Sequence, residues 1–323
     1  MTFSWGVVHT VSPLTVIEDG SSNALPVIQS LVDPSSLTVG DMVRVELAQG
    51  GRVVVYGRTD GLGVLSGENL IINGDFRINQ RDAVSGTSLG IGDYFFDRWH
   101  STTGAATVTW TAAPQGQPVN IPSGNGIAQI VERVNMPAGT YTLSWEGDSP
   151  ARLYNRGEAE PLAQPSPLTV ELDGTDDVKI QFSLGSLFNV KLERGAVPTP
   201  YASRLYGEEL ALCQRFFWRS STPPFGVFAL GVFRTSDYKL FAPFDYPTTM
   251  RAVPTLTYSS LTTLNIDQLN VRGDTLTDLS LIAGGLGSAQ ILATTNSNPA
   301  WINHMPTFLK VVSGGWLAFD AEL

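Results

Sequence analysis

Along most of the chain, apolar and polar residues alternate with a period of two, the pattern of strands that bury one face. Met42–Leu47 sets Val43, Val45 and Leu47 against Arg44 and Glu46, and Arg52–Arg58 follows after the hairpin signal Gln49-Gly50-Gly51. With Trp5–Val11 and Leu14–Glu18, and Leu37–Asp41 as the loop entering a strand, these runs predict a small OB-like or SH3-like barrel over residues 1–67. Gly57 to Gly67 reads as a glycine-rich joint.

Residues 68–200 continue the alternation in short runs. Thr107–Thr111, Gly126–Val131, Gly139–Trp145, Leu168–Leu172, Val178–Phe182 and Leu187–Leu192 are strand candidates, broken by Pro137-Ala138-Gly139 and Asp173-Gly174-Thr175. Strands at this spacing predict a two-sheet sandwich or jelly roll. Its opening stretch, Asn69–Trp99, has an Asn-Gly turn, then Phe76 and Ile78 alternating with Asp75, Arg77 and Asn79, and closes on Tyr94, Phe95, Phe96 and Trp99. It reads as a first strand and crossover.

One helical period stands out, over Arg204–Trp218. Leu205, Leu210, Leu212, Cys213, Phe216 and Phe217 share its apolar stripe, with Glu208 and Glu209 near its positive end. Beyond it, Gly226–Arg234, Lys239–Phe244, Thr255–Ser259, Leu261–Val271, Leu276–Leu281, Trp301–Asn303 and Trp316–Phe319 return to β. The fold class expected is all-β: a small N-terminal barrel, a central jelly-roll sandwich over 68–200, and a short helix opening a C-terminal β-sandwich tip over 201–323.

Composition narrows the function classes. The net charge is −10. Residues 1–67 carry three basic and six acidic side chains, 68–200 nine and fifteen, and 201–323 eight and nine. No basic block exists to follow a phosphate backbone, which argues against nucleic acid. The single cysteine, Cys213, excludes an intrachain disulfide and any Cys-based zinc site. No run reaches membrane-spanning length, and MTFSWGVVHT lacks a basic leader, which predicts synthesis in a cytosol without a cleaved signal.

Three stretches together resemble known proteins. ENLIINGDFRINQR…DYFFDRW resembles the opening of the jelly-roll, carbohydrate-binding-module-like domain of tail-fibre and minor tail proteins of tailed bacteriophages. Residues 190–218, VKLERGAVPTPYASRLYGEELALCQRFFW, resemble the passage from that domain into a tip domain, and FDYPTTMRAVPTLTYS and GWLAFDAEL resemble the tip itself. The first 67 residues more loosely resemble small barrels that open minor tail proteins of phages of Gram-positive hosts. The resemblance implies a non-enzymatic, homotrimeric short tail fibre or receptor-binding protein, assembled in the host cytoplasm and displayed on the virion surface. It would dock on other virion proteins, at a tail baseplate or a head, through residues 1–67, and meet a host surface glycan or protein with its outer domains. A head fibre or decoration protein with the same outer domains is the alternative, since no coiled coil or repeated shaft motif is present. A glycan depolymerase is a third reading, because glycosidase carboxylates are placed by fold rather than spacing. No cofactor is implied.

Candidate chemistry is sparse. Gly86-Thr87-Ser88-Leu89-Gly90 matches a nucleophile elbow, but no helix follows it and His9, His100 and His304 are scattered, so it reads as a glycine-rich loop. Asp173-Gly174-Thr175-Asp176-Asp177 offers oxygens for calcium but lacks the alternating ligands of a calcium loop, and reads as a hairpin turn. Sugar-binding jelly rolls often hold calcium through an acidic residue after the first-strand Phe; here Arg77 stands there, so no metal is carried over. Sugars stack on aromatic rings, and Trp145, Tyr154 and Trp301 are the glycan-contact candidates, Trp301 as an exposed residue of the Asn298–Trp301 loop. Trp99 is expected in the core. Leu210, Cys213 and Phe217 are candidates for a trimer seam, although about four helical turns cannot hold a trimer alone.

Overall fold

A computed structural model describes residues 2–18, 21–30, 37, 39–48, 52–58, 68–155, 158–159, 164–220, 226–268, 271–296, 300–312 and 314–322. The Gln49–Gly51 hairpin signal and most of the Gly57–Gly67 joint lie outside them. Among the described residues no helix is long and apolar enough to cross a membrane.

The first unit is a closed five-stranded barrel. Strands β1 (Thr2–Val11), β2 (Leu14–Glu18), β3 (Ala24–Ser30), β4 (Met42–Ala48) and β5 (Arg52–Arg58) follow the order β1-β2-β3-β5-β4, and β1 pairs back onto β4. All pairings are antiparallel except β3 with β5. This Greek-key arrangement is that of an OB barrel. Val8, Val16, Val43, Val45, Val53 and Val55 fill it, as alternation predicts, and Leu37 joins the same buried cluster. β3 is an addition to the sequence reading. Pro26 interrupts its pattern, yet it pairs with Thr15 on the exposed side while Leu25 and Val27 turn inward.

The second unit is a jelly-roll sandwich. Its strands are β6 (His100–Ser101), β7 (Thr109–Trp110), β8 (Val119–Ile121), β9 (Ile127–Val131), β10 (Gly139–Glu146), β11 (Ala151–Asn155), β12 (Glu158–Ala159), β13 (Leu168–Leu172), β14 (Val178–Phe182) and β15 (Gly185–Arg194). They form two five-stranded sheets, β13-β10-β15-β8-β7 and β12-β11-β14-β9-β6. Between the sheets lie Tyr141, Leu143, Leu153, Ile180, Phe182 and Leu187, joined by Phe76, Phe95, Phe96 and Trp99.

Asn69–Trp99 is not a strand. Phe76 and Ile78 are both buried, but Asn73 and Phe76 adopt left-handed backbone, with φ of 59° and 55°. Side-chain amides take over from a β-ladder. Asn69 Oδ1 accepts from the amides of Ile71 (2.9 Å) and Leu192 (3.0 Å), and its Nδ2 donates to the Val190 carbonyl (2.8 Å). Asn73 closes the next turn by accepting from Ile78 N (2.9 Å) and donating to Ile78 O (2.8 Å) and Asp97 O (3.1 Å). These side chains add to isolated backbone bonds, such as Leu70 N to Leu192 O and Val190 N to Gly74 O, so the segment meets its buried backbone demand without a continuous ladder. Gly74 lets it approach β15: a Cβ there would sit 2.2 Å from the Val190 carbonyl oxygen. Gly74→Ala therefore costs on the order of 4 kcal/mol, and urea titration of the variant is expected to show it.

The third unit opens with α1 (Tyr206–Gln214), followed by β16 (Phe217–Arg219), β17 (Gly226–Arg234), β18 (Lys239–Asp245), β19 (Thr255–Tyr258), β20 (Leu264–Gln268), β21 (Val271–Gly284), β22 (Ser288–Thr295), β23 (Pro306–Val311) and β24 (Leu317–Asp320). Six strands close as β17-β18-β22-β21-β20-β23, so the sandwich expected here has its edges joined into a barrel. The other layer is the sheet β16-β24-β19, whose Leu317 and Phe319 enter the barrel's apolar cluster with Phe233, Leu240, Ile266 and Ile291.

The helix is shorter than the expected Arg204–Trp218. It ends at Gln214, and the aromatic run turns into β16, where Phe217 pairs with Asp320 and Trp218 with Phe319. Its buried residues are Glu209 and Cys213, not a leucine stripe; Leu205 is exposed and Leu210 half-buried. Gly207 is exposed, has no positive φ, and has open space for 4 Å around the position a methyl would take. Gly207→Ala is expected to raise stability by about 0.5–1 kcal/mol in the same titration.

Candidate functional site

The sequence candidates disperse. Trp145 lies in the sandwich core, 7% exposed, its indole N–H donating to the Ser149 carbonyl (2.7 Å) and its ring edge-on to Phe182 (5.2 Å). Trp301 is a correction. It is 5% exposed, stacked on Phe233 at 4.6 Å, with its indole N–H on Asp274 (2.7 Å). Pairing the N–H with a carboxylate lets so large a ring be buried; the preceding Asn298-Pro299 lies outside the described residues. Tyr154 stays half-buried on β11, with Lys179 Nζ 5.0 Å from its ring centre. Cys213 and Phe217 are covered by their own chain, 0% and 4% exposed, so neither lies at a surface that a second copy could meet. Burial pushes the Cys213 thiol well above its usual range, consistent with a small buried apolar group. Leu210 remains half-buried, at the edge of a surface cleft.

Ser88 sits in an exposed loop that Leu89 fastens to Ala106. Asp173 Oδ1 accepts from the amide (3.0 Å) and hydroxyl (2.9 Å) of Thr175, the bonding of an Asx turn. No cluster of three or more His, Cys, Asp or Glu suited to a metal ion occurs among the described residues.

What the structure does bring together is the opening motif and the third unit. Glu209 accepts from the Asn73 amide and from Arg204 Nη1 (3.1 Å), and lies 3.8 Å from Arg77. Arg77 in turn faces Asp75 at 3.3 Å. Desolvation raises the Asp75 carboxyl, against the pull of Arg77. Arg81 lies over the Phe217 ring (3.6 Å) and pairs with Asp320 (3.4 Å) and Glu322 (3.2 Å). Arg98 covers Phe216 (3.5 Å) and also pairs with Glu322. Gln80 Nε2 donates to the Phe217 carbonyl (2.8 Å), and its amide N–H donates to Asp97 (2.7 Å). On the far side, Glu132 receives Arg215 and Arg251. Asn73, Arg77, Gln80, Arg81 and Arg98 thus join two consecutive units through partners more than 100 positions away in sequence. Sequence reading flagged the motif but not this use, since partners such as Glu209 and Glu322 carry no local signal.

Beside this joint the surface opens into clefts. One, about 420 Å³, runs between the Ile78–Asp82 turn and α1–β16; Asn79, Asp82, Tyr206, Gln214, Trp218 and Arg219 are among its walls. Tyr206 is 57% exposed. Trp218 packs one part of its ring on Phe244 (5.2 Å) and Phe319 (5.9 Å) and is half-buried. Arg219 is fixed by Asp82 (2.8 Å), the Gln80 carbonyl (3.2 Å) and the Trp316 ring (4.9 Å). A second cleft, about 310 Å³, has Arg77, Phe96, Trp110 and Gln117 in its walls and shares Asn79 with the first.

No family model matches the chain, and no curated protein sequence matches it. Among solved structures, wild-type discoidin II from Dictyostelium discoideum aligns over 76% of this chain and 91% of its own, at 10% identity and a TM-score of 0.20. A recombinant form of the same protein aligns with the same coverage and identity at a TM-score of 0.19.

Proposed function

We propose that this chain is a non-enzymatic structural protein of a tailed phage particle, a short tail fibre that carries receptor-binding domains on the virion surface. Its OB barrel docks on neighbouring virion proteins, and the jelly roll and C-terminal barrel reach the host envelope as one stiff head. The observation that supports this most is the joint itself. Asn73, Gln80, Arg81 and Arg98, which belong to the motif behind the phage resemblance, are among those that clamp the jelly roll to the third unit. A chain that must hold its outermost domain at a fixed angle while anchored at the other end needs such a clamp, whereas independently working modules do not. The trimer belongs to the same proposal.

Gold-labelled antibody against the chain is expected to decorate the tail tip of intact particles, and added free protein to slow adsorption. Decoration confined to the head would favour the head-fibre alternative. Incubation with host cell-wall glycan is expected to release no reducing ends; their release would replace this reading with the depolymerase. Light scattering is expected to give three times the 34.8 kDa chain mass, and a stable monomer would remove the trimer.

A further inference from the structure

We propose that the paired clefts at the joint bind a neutral oligosaccharide that lies across Asn79, with Tyr206 as its main platform. This rests on the host-contact reading above and gives it a ligand class and a location. Four observations carry it.

First, the size suits a ligand: two clefts, of about 420 and 310 Å³, share the wall residue Asn79, and each is in the range of small-ligand sites. Second, the walls alternate aromatic and hydrogen-bonding groups. Tyr206 and the half-buried rim of Trp218 line one cleft and Trp110 the other, so sugar C–H faces meet rings at both ends. Third, the polar groups are already held in place. Arg219 is fixed on three sides by Asp82, the Gln80 carbonyl and Trp316, and presents a guanidinium–carboxylate pair whose outer atoms can share a vicinal diol. Asn79 is likewise pinned by Ala83 through both amide atoms, at 2.9 and 3.0 Å, so a ligand finds a rigid turn. Fourth, the charge selects against anionic polymers. Asp82 offsets Arg219 in the larger cleft, and the chain carries a net charge of −10.

Two aromatic platforms in clefts that share Asn79 also imply length discrimination. A disaccharide fills the Tyr206 side alone, while a hexasaccharide reaches Trp110.

The test is a printed array of neutral, sialylated and sulfated oligosaccharides, probed with the full chain. Binding is expected at neutral spots and to rise with length. Tyr206→Ala is expected to weaken every neutral interaction at least tenfold. Trp110→Ala is expected to weaken hexasaccharides several-fold and to leave disaccharides unchanged. Tyr206 is largely exposed, and a circular dichroism melt matching the parent would confirm that its variant folds. Absence of any neutral spot overturns the site, as does neutral binding that survives both Tyr206→Ala and Gln214→Ala, or binding confined to anionic spots. Failure of the two proposals is separable: a blank array with gold-decorated particles removes the glycan site alone, and a positive array with undecorated particles removes the virion reading alone.

Discussion

Glu209→Ala is expected to cost about 3–5 kcal/mol, the toll of removing one partner from a buried ion cluster. The Glu209 side chain is 2% accessible and faces two guanidiniums, Arg204 at 3.1 Å and Arg77 at 3.8 Å. It also accepts from the Asn73 amide, in the turn that starts the jelly roll. Alanine leaves Arg204 to the carbonyls of Ile71 (3.1 Å) and Asn69 with its carboxylate partner gone, leaves Arg77 to Asp75 at 3.3 Å, and strips one buried N–H of its acceptor. Glu209→Gln keeps an acceptor for Asn73 but removes the charge, so its loss should fall between parent and alanine. Because the cluster lies between two units, the loss should not lower one transition uniformly. Urea unfolding followed by tryptophan fluorescence is expected to split, and limited proteolysis to gain a cut near residues 195–205. A parent-like single transition for Glu209→Ala would show that the joint draws its strength from the Arg81–Glu322 and Arg215–Glu132 side instead.

Much of the fold was legible because one-sided burial writes a period of two. Leu14–Glu18, Arg52–Arg58, Leu168–Leu172 and Val178–Phe182 are strands at the ends the pattern predicts. Three failures have distinct physical causes. Alternation in Asp75–Asn79 suggested a strand, but the amides of Asn69 and Asn73 satisfy the backbone that a ladder would have served. Helical spacing overran into Phe216–Trp218, where β24 offered strand partners. The Pro-flanked Trp301 looked exposed because sequence cannot show that Asp274, 27 residues away, waits for its N–H. The candidate site was illegible for a deeper reason. Its cleft sets Asn79 and Asp82 opposite Tyr206 and Trp218, and no local pattern relates residues that far apart. A buried glutamate on a helix is likewise invisible to a search for apolar stripes.

Asp97 sets the pH dependence of the same joint. Its carboxyl is fully buried, and desolvation pushes it up to about 7, although the Gln80 hydrogen bonds and the charge of Arg81 pull the other way. In the unfolded chain it titrates near 3.8. Between those values the folded chain keeps a proton that the unfolded chain releases, so stability falls as pH rises, by about 1.4 kcal/mol per unit. Across the window the effect is on the order of 4 kcal/mol, absent below about pH 4 and complete above about pH 7. Asp97→Asn cannot ionise. It gives up one of the two acceptors now serving Gln80 N and Nε2, a loss of about 1 kcal/mol at every pH. The variant is therefore expected to be less stable than the parent at pH 4 and more stable at pH 8. Urea midpoints at unit steps of pH measure this crossing. The difference between the two proteins cancels the other titrating groups, including Asp237, which Arg234 holds at about 2, and Asp75, raised by burial. A difference that stays constant with pH would mean that the folded chain holds Asp97 ionised, and that Gln80 and Arg81 outweigh its burial.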